Sequence, residues 1–327
     1  GDMSGKNFGN KSVLTESWYF AMSSKKLKQG KVTPFFLHAN KIALFRGANG
    51  KVTALKSRCP HLGADLCQGT VEENSLQCPF HGWKFNGVGK CNFVPNESAI
   101  PQSAKTHSYP VVEKYGAIWV YNGEAPKFQI PDFNNVEIGN YRMFVRDGKE
   151  VKIHNHLLSC NGFDVQHWQS LHGMETMSKP EFKEVSPYHL QIKYHFKASK
   201  THPSYRKLKL LGLATVKMNY ETIGGNISLV KVQGEKNRFI VVLAPSPTTD
   251  GTSFSKISIG IPKASLVGKI LFKEYFQLIK ALLGLVAVLK DDREVLENVE
   301  FWPRLTEQDE HLLTFINQVN SLETFEA

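Results

Sequence analysis

Two pairs of metal-seeking side chains stand out in the N-terminal third of the chain, Cys59-x-His61 and Cys78-x-x-His81, separated by sixteen residues. Each pair mixes a thiolate with an imidazole. Zinc fingers built from two Cys and two His place Cys with Cys and His with His, so this order argues against a finger. It is the order required by a 2Fe-2S centre in which one iron takes both thiolates and the other both imidazoles, because each loop then gives one ligand to each iron. Such a centre passes single electrons. Pro60 and Pro79 each follow a cysteine, and Gly63, Gly69 and Gly82 allow tight turns that bring backbone N–H groups near the sulfurs.

A second constellation is Asn161-x-x-Asp164-x-x-His167-x-x-x-x-His172. Asp164 and His167 are three apart and would share a face of a helix. His172, five residues beyond His167, would point about 140° away on a regular helix. It can converge with His167 only where the helix distorts or ends, and Gly173 is a fitting stop. Two imidazoles, one carboxylate and open positions make the facial triad of non-haem Fe(II) oxygenases. The carboxylate candidates are Asp291, Asp292, Glu294 and Glu297. Asp292 has Val288, Leu289, Val295 and Leu296 at its i±3 and i±4 positions, which places it on an inward stripe where an unpaired charge would be costly. Iron would compensate that charge, as would an Arg or a backbone amide, so these residues alone leave both readings open. His154 and His156 are assigned to structural support rather than ligation.

The run from Cys59 to Trp83, CPHLGADLCQGTVEENSLQCPFHGW, resembles the Rieske signature of ring-hydroxylating and demethylating oxygenases, and the stretch from Thr15 to His61 resembles the entry to that family's first domain. CNGFDVQHWQSLHG resembles the family's mononuclear-iron motif, and DDREVLEN resembles the place of its third ligand, which again selects Asp292. One departure is Leu62, where many relatives carry Arg; it does not touch ligation. The resemblance implies a 2Fe-2S cluster on Cys59, His61, Cys78 and His81 with Trp83 as its aromatic cover. It also implies Fe(II) on His167, His172 and Asp292, with Asn161 in support. Asp164 would be the carboxylate that joins a cluster histidine, His81, to His167 across the subunits of a head-to-tail homotrimer. O2 would be the co-substrate, and NAD(P)H would supply electrons through a separate reductase.

The expected activity is that of a terminal oxygenase component that hydroxylates or oxidatively demethylates a small aromatic or cyclic compound, as in the vanillate and dicamba O-demethylase and phenylpropionate dioxygenase-like group. Cis-dihydroxylation and desaturation would use the same metals. A third reading is an electron-transfer protein whose second domain has lost its chemistry; the presence of His167, His172 and Asp292 together argues against it.

The whole chain sets bounds on these readings. Its 327 residues suit two domains, and 41% hydrophobic with 21% charged residues describes a globular chain rather than disorder. The formal charge of +10 favours an acidic partner, and an acidic ferredoxin or flavoprotein reductase fits better than nucleic acid, for which no reader motif is present. Five cysteines are an odd count, and Cys67, Cys91 and Cys160 show no disulfide pattern once two are given to the cluster. That usage points to a reducing cytoplasm. No targeting segment is expected, and the most apolar run, Ala281 to Leu289, spans nine residues, far short of the roughly 20 needed to cross a bilayer.

The elements that must position these groups are legible in part. Short β-prone runs at 34–38, 41–46 and 52–56, the last two joined at Asn49-Gly50, predict a hairpin, and 84–95 predicts another. Alternation of Leu190, Ile192, Tyr194 and Phe196 with Gln191, Lys193, His195 and Lys197, and similar runs at 226–233, 238–243 and 254–261, predict a curved antiparallel sheet. A helix is expected over 265–298 with Leu271, Tyr275, Leu278, Leu282 and Leu285 inward. Phe163, Trp168 and Leu171 would line an apolar pocket. The expected class is α+β: an all-β Rieske domain over 1–122, a linker over 123–140, and a helix-grip catalytic domain over 141–327.

Overall fold

The computed structural model describes residues 6–270, 272–300 and 304–325. The class is α+β, an all-β unit followed by a large antiparallel sheet with helices. The chain divides into two compact units, residues 16–127 with Phe325 and residues 6–15 with 128–324.

The first unit is built from three small antiparallel sheets. Val32–Leu37, Asn40–Arg46 and Val52–Lys56 form a meander, and the predicted Asn49-Gly50 turn is there, with Gly50 at φ +79. Thr70–Glu72, Ser75–Gln77, Lys84–Phe85 and Cys91–Phe93 form a second meander. Its last turn is tied by Asn86, whose Oδ1 accepts from the N–H groups of Val88 (3.1 Å) and Lys90 (3.0 Å). Phe45, Leu55, Leu66, Leu76 and Phe85 form the core between these sheets, and Cys59 and Cys78 are buried in it.

The second unit is a nine-stranded antiparallel sheet. Its path runs through Tyr141–Val151, Ser253–Pro262, Arg238–Leu243, Ile227–Gly234, Thr215–Ile223, His189–Ala198 and Met174–Thr176. The expected alternation is real: Leu190, Ile192, Tyr194 and Phe196 are all buried on one face. The helices are α1 (Asn155–Cys160), α2 (Val165–Ser170), α3 (Tyr205–Leu210), α4 (Leu266–Ile270), α5 (Lys273–Leu296) and α6 (Glu310–Ser321). Phe163, ahead of α2, packs edge-on to Tyr220 of the sheet at 5.3 Å and against Phe315 of α6 at 5.6 Å.

Three expectations need correction. Residues 6–15, assigned to the first domain, belong to the second unit: Asn7 Nδ2 donates to the carbonyls of Val319 (3.1 Å) and Leu322 (2.7 Å), and Phe8 stacks on His156. The segment 123–140 is not one linker. Lys127 pairs with Glu16 of the first unit at 2.6 Å, whereas Phe128 stacks on Tyr188, and Ile130 and Phe133 are buried with the second unit. The single helix over 265–298 is two helices, with Phe272 between them at φ 54. Of its expected inward residues Leu278 is buried, Leu282 and Leu285 are half-buried, Tyr275 is 60% exposed, and Leu271 lies outside the described residues.

Candidate metal centres

The first candidate centre sits on two turns of the same design. Cys59 N–H donates to Ala64 O at 2.9 Å, and Gly63 N–H donates to Cys59 O at 2.9 Å. In the second loop Cys78 N–H donates to Trp83 O at 2.7 Å, and Gly82 N–H donates to Cys78 O at 3.2 Å. Both loops close on a glycine four residues after the cysteine, Gly63 at φ +80 and Gly82 at φ +75, conformations that side chains rarely adopt. The histidine falls at the second position after the cysteine in one loop and the third in the other, and the remaining tip positions hold Leu62 and Phe80, both exposed.

The thiols lie inward and the imidazoles outward. Cys59 and Cys78 are buried neighbours, and burial pushes the Cys59 thiol up to about 11. The exposed rings of His61 and His81 are 4.7 Å apart, and Trp83 stacks flat on His61 at 4.5 Å and 9°. The pairs thus present sulfur on one side and nitrogen on the other, the division that a mixed-ligand two-iron centre needs. The other cysteines are not beside them in role. Cys67 is pushed up to about 12 by burial, Cys91 and Cys160 are also pushed up by burial, and each thiol lies beside a backbone carbonyl.

The second candidate centre is assembled from three segments of the second unit. Asp164 is the N-cap of α2: its Oδ1 accepts from Gln166 N–H (3.0 Å) and His167 N–H (3.1 Å). It is therefore outside the helix rather than on a shared helical face. His167 Nδ1 lies 2.6 Å from the Asp164 carbonyl oxygen, which accepts the Nδ1 proton and leaves Nε2 as the lone-pair nitrogen. Asn161 Nδ2 donates to that nitrogen at 3.2 Å. The helix stops at Ser170, and Gly173 at φ +64 turns the chain so that His172 swings back beside His167, with ring centroids 5.2 Å apart. The irregular backbone demanded by the five-residue spacing is present.

Asp292 enters from α5. Its Oδ1 is 2.8 Å from His172 Nε2 and 3.7 Å from His167 Nε2, and the ligand atoms of His167, His172 and Asp292 all lie within 4.8 Å of one another. Asp292 and His172 are buried, while Asp291 reaches only to 4.0 Å of His172 Nδ1 and is more open. The stripe that selected Asp292 is less buried than expected, since Val295 is 47% exposed. No Lys or Arg pairs with Asp292 among the described residues. A buried carboxylate facing two imidazoles and no fixed cation is a donor set suited to a divalent metal. Burial lowers the pKa of His167, against the pull of Asp292, so the ring favours the neutral form that can ligate.

The sheet fixes this arrangement from behind. Tyr194 Oη donates to Gly162 O at 2.8 Å and Tyr220 Oη to Ser159 O at 2.6 Å, tying the segment from α1 to α2 to two strands. Gly162 has to be glycine, because a Cβ would lie 2.2 Å from the Tyr220 ring. His154 and His156 are buried and packed together; His154 caps α1 and His156 Nδ1 accepts from Gly9 N–H at 3.2 Å.

One cavity opens beside His172 and Asp292, with Trp168, Met174, Leu208, Met218, Val230 and Phe239 among its walls. Trp168 belongs to it, whereas Phe163 is core and Leu171 is not among its lining residues. Val230 and Phe239 come from the strands expected at 226–233 and 238–243, Met218 from the strand Thr215–Ile223 that was not marked from the sequence, and the role of all three as cavity wall was not readable. A second cavity also reaches Asp292 and carries Arg146, Lys149, Lys256, Lys290 and Arg293.

Residues 17–110 match the family model described as the Rieske [2Fe-2S] domain. The chain carries a Rieske [2Fe-2S] domain. Among curated proteins, it is similar to a cholesterol 7-desaturase of Ciona intestinalis, 35% identical over 170 residues covering 51% of this chain and 36% of that one. It is also similar to a 4beta-methylsterol monooxygenase of Methylococcus capsulatus, 32% identical over 158 residues covering 46% and 42%. These alignments reach less than half of the relatives' own length. Among solved structures, dicamba monooxygenase bound to dicamba superposes with a TM-score of 0.69 at 23% identity, covering 93% of this chain and 97% of that one. The Rieske-domain protein therefore has the two-unit fold of that oxygenase, and a second dicamba monooxygenase structure, at 21% identity and TM-score 0.64, is described with non-haem iron and dicamba.

Proposed function

We propose that this Rieske-domain protein is the oxygenase component of a multicomponent system that oxidises an apolar organic substrate with O2. The observation that carries this reading is the convergence of His167, His172 and Asp292 at the wall of an apolar cavity. In it, Cys59, His61, Cys78 and His81 hold the 2Fe-2S cluster, and His167, His172 and Asp292 hold one ferrous ion. The cluster supplies single electrons and the ferrous ion a site for dioxygen.

The chain's own residues do the positioning. The Asp164 carbonyl fixes the tautomer of His167, α2 and Gly173 set the angle between the two imidazoles, and the Tyr194 and Tyr220 hydroxyls hold the segment that carries them. The lining is mostly apolar, with Asn161, Lys207 and Asp291 as polar members beside Asp292, so a substrate is oriented mainly by shape. This favours a hydrophobic ring system over a small aromatic acid, in keeping with relatives named for cholesterol, methylsterol and ketosteroid.

In this reading Asp164 remains the bridge to His81 of a neighbouring copy in a homotrimer. Its Oδ1 is committed to the helix cap, so the bridge falls to Oδ2, which has no hydrogen bond among the described residues. A cytoplasmic location, an acidic ferredoxin or flavoprotein reductase as donor, and NAD(P)H as the ultimate reductant complete it. Among the described residues no helix is long and apolar enough to cross a membrane.

The test is iron counting with spectroscopy after anaerobic reconstitution. Wild-type protein should show a Rieske EPR signal plus one further ferrous ion that Asp292→Ala removes. Full retention of that ion in the variant would move the third ligand elsewhere. An alcohol, an aldehyde from a lost methyl group, a cis-diol or an alkene among the products separates monooxygenation, demethylation, dihydroxylation and desaturation.

A further inference from the structure

Helix α5 is apolar on two opposite sides. Leu278, Ala281 and Gly284 are buried against the second unit, as expected for a helix laid over a sheet. Its outward side carries Phe276 and Leu283, exposed to 60% and 47%, with Tyr275 open beside them and Phe272, just ahead of the helix, exposed to 68%. The preceding helix α4 adds Leu266 and Val267 at 77% and 65%. A helix against a soluble core ordinarily turns polar residues to water. Here the open face is aromatic and aliphatic, and its extent is more than scattered single residues would give.

Beside the exposed apolar residues the charge has one sign, and the acids Asp291, Asp292 and Glu294 fall in the last turns of α5. Between residues 251 and 290 the chain holds six Lys and a single acid, Glu274, which is buried and paired with Arg142 at 2.9 Å. Lys269, Lys273 and Lys280 are exposed among the apolar residues. Exposed aromatic and aliphatic side chains framed by lysines are the chemistry of an element that lies in the boundary of an anionic bilayer. Self-pairing of this face across a twofold axis would bring its lysines together, and a contact with a different patch of a second copy is the outcome that the self-association measurement below separates. No described helix is apolar enough to cross, so the surface would rest on the lipid and not span it.

The same helix walls the apolar cavity through Gly284, Leu285 and Val288, and α3, which contributes Lys207 and Leu208 to that cavity, leaves Leu210 82% exposed. We propose that α4 and α5 form a docking surface for an anionic lipid bilayer. An apolar molecule dissolved in the bilayer would then meet the protein at the helix that borders its cavity. The inference concerns binding and not turnover, so it stands or falls separately from the oxygenase reading.

The experiment is flotation of the full chain with phosphatidylcholine vesicles, with and without phosphatidylglycerol. Binding is expected to the anionic vesicles and to weaken as salt is raised. The double variants Phe272→Ser with Phe276→Ser, and Lys269→Ala with Lys273→Ala, should each weaken partitioning roughly tenfold while leaving the Rieske EPR signal and thermal melting unchanged. The lysine variant keeps the test valid if the phenylalanine variant folds poorly. Failure of the unchanged chain to bind either vesicle, or binding by both variants as tight as that of the unchanged chain, overturns the proposal. Loss of self-association in the Phe272→Ser, Phe276→Ser variant, with no vesicle binding by wild type, would assign the face to a contact between copies.

Discussion

The two candidate metal sites are built on opposite principles. The cluster loops are local: each is a short turn closed by its own backbone, with exposed imidazoles at the tip and buried thiols at the base. The triad is distributed: His172 and Asp292 are 120 residues apart, and both are buried. A local site depends on the conformation of a few residues. A distributed one depends on the whole second unit being folded. The first should tolerate damage to distant packing, and the second should register it.

The strongest way to break this contrast is to remove a ligand from each site. Asp292→Ala is expected to abolish turnover and the second iron while the Rieske EPR signal persists. Cys78→Ser should do the reverse, losing the cluster signal with His167, His172 and Asp292 still able to bind a metal ion. Loss of both metals in either variant, by iron assay and EPR, would mean the two sites do not form independently.

Asp164→Asn comes next. Asn is as good a helix N-cap as Asp, so α2 should stay intact. Turnover should fall by about 10–100-fold, the usual cost of altering a group that supports a metal-ligating histidine. Near-wild-type turnover under single-turnover conditions would take the side chain out of the proposed electron path.

Two glycines sharpen the comparison at smaller amplitude. Gly63 and Gly173 both have positive φ, at +80 and +64. A Cβ on Gly63 meets nothing within 4 Å, whereas one on Gly173 would lie 2.3 Å from the His202 ring. Gly63→Ala should therefore cost only the left-handed backbone penalty, about 1–2 kcal/mol. Gly173→Ala should cost more than that in urea denaturation and should also weaken iron retention, because Gly173 sets the position of His172. Equal costs would show that the triad's backbone is less constrained than the packing implies.

The smallest effect concerns the spare thiols. Cys67 is pushed up to about 12, so almost none of it is thiolate at pH 8. Cys67, Cys91 and Cys160 should resist alkylation in the folded chain and react together on unfolding, as read by mass spectrometry.

The same local-versus-distributed contrast explains what could be read from the sequence. The cluster ligands lie within 23 residues of one another, and the meander strands around them carry their own turn signals. The Leu190 to Phe196 alternation and the need for a break between His167 and His172 were also local facts. Asp292 was found through helical phase, although Val295, one of the residues that argued for it, turned out exposed. What was not legible depended on contacts between distant segments. The hydrogen bond from His167 to the Asp164 carbonyl, the Tyr194 and Tyr220 ties, the cavity lining and the unit to which residues 6–15 belong are all set by tertiary packing. Helix period alone also could not show that α5 has an open apolar side, since an apolar residue counts the same whichever way it faces.

The placement of residues 6–15 carries a consequence for how the protein is made. Asn7 and Phe8 meet α6 and the turn after it across a gap of 312–315 positions in the chain. A ribosome releasing about 5–20 residues per second would expose residues 6–8 long before their seat exists. The second unit would close only once residue 322 has emerged, and removing residues 6–15 would strip the Val319 and Leu322 carbonyls of their Asn7 donor.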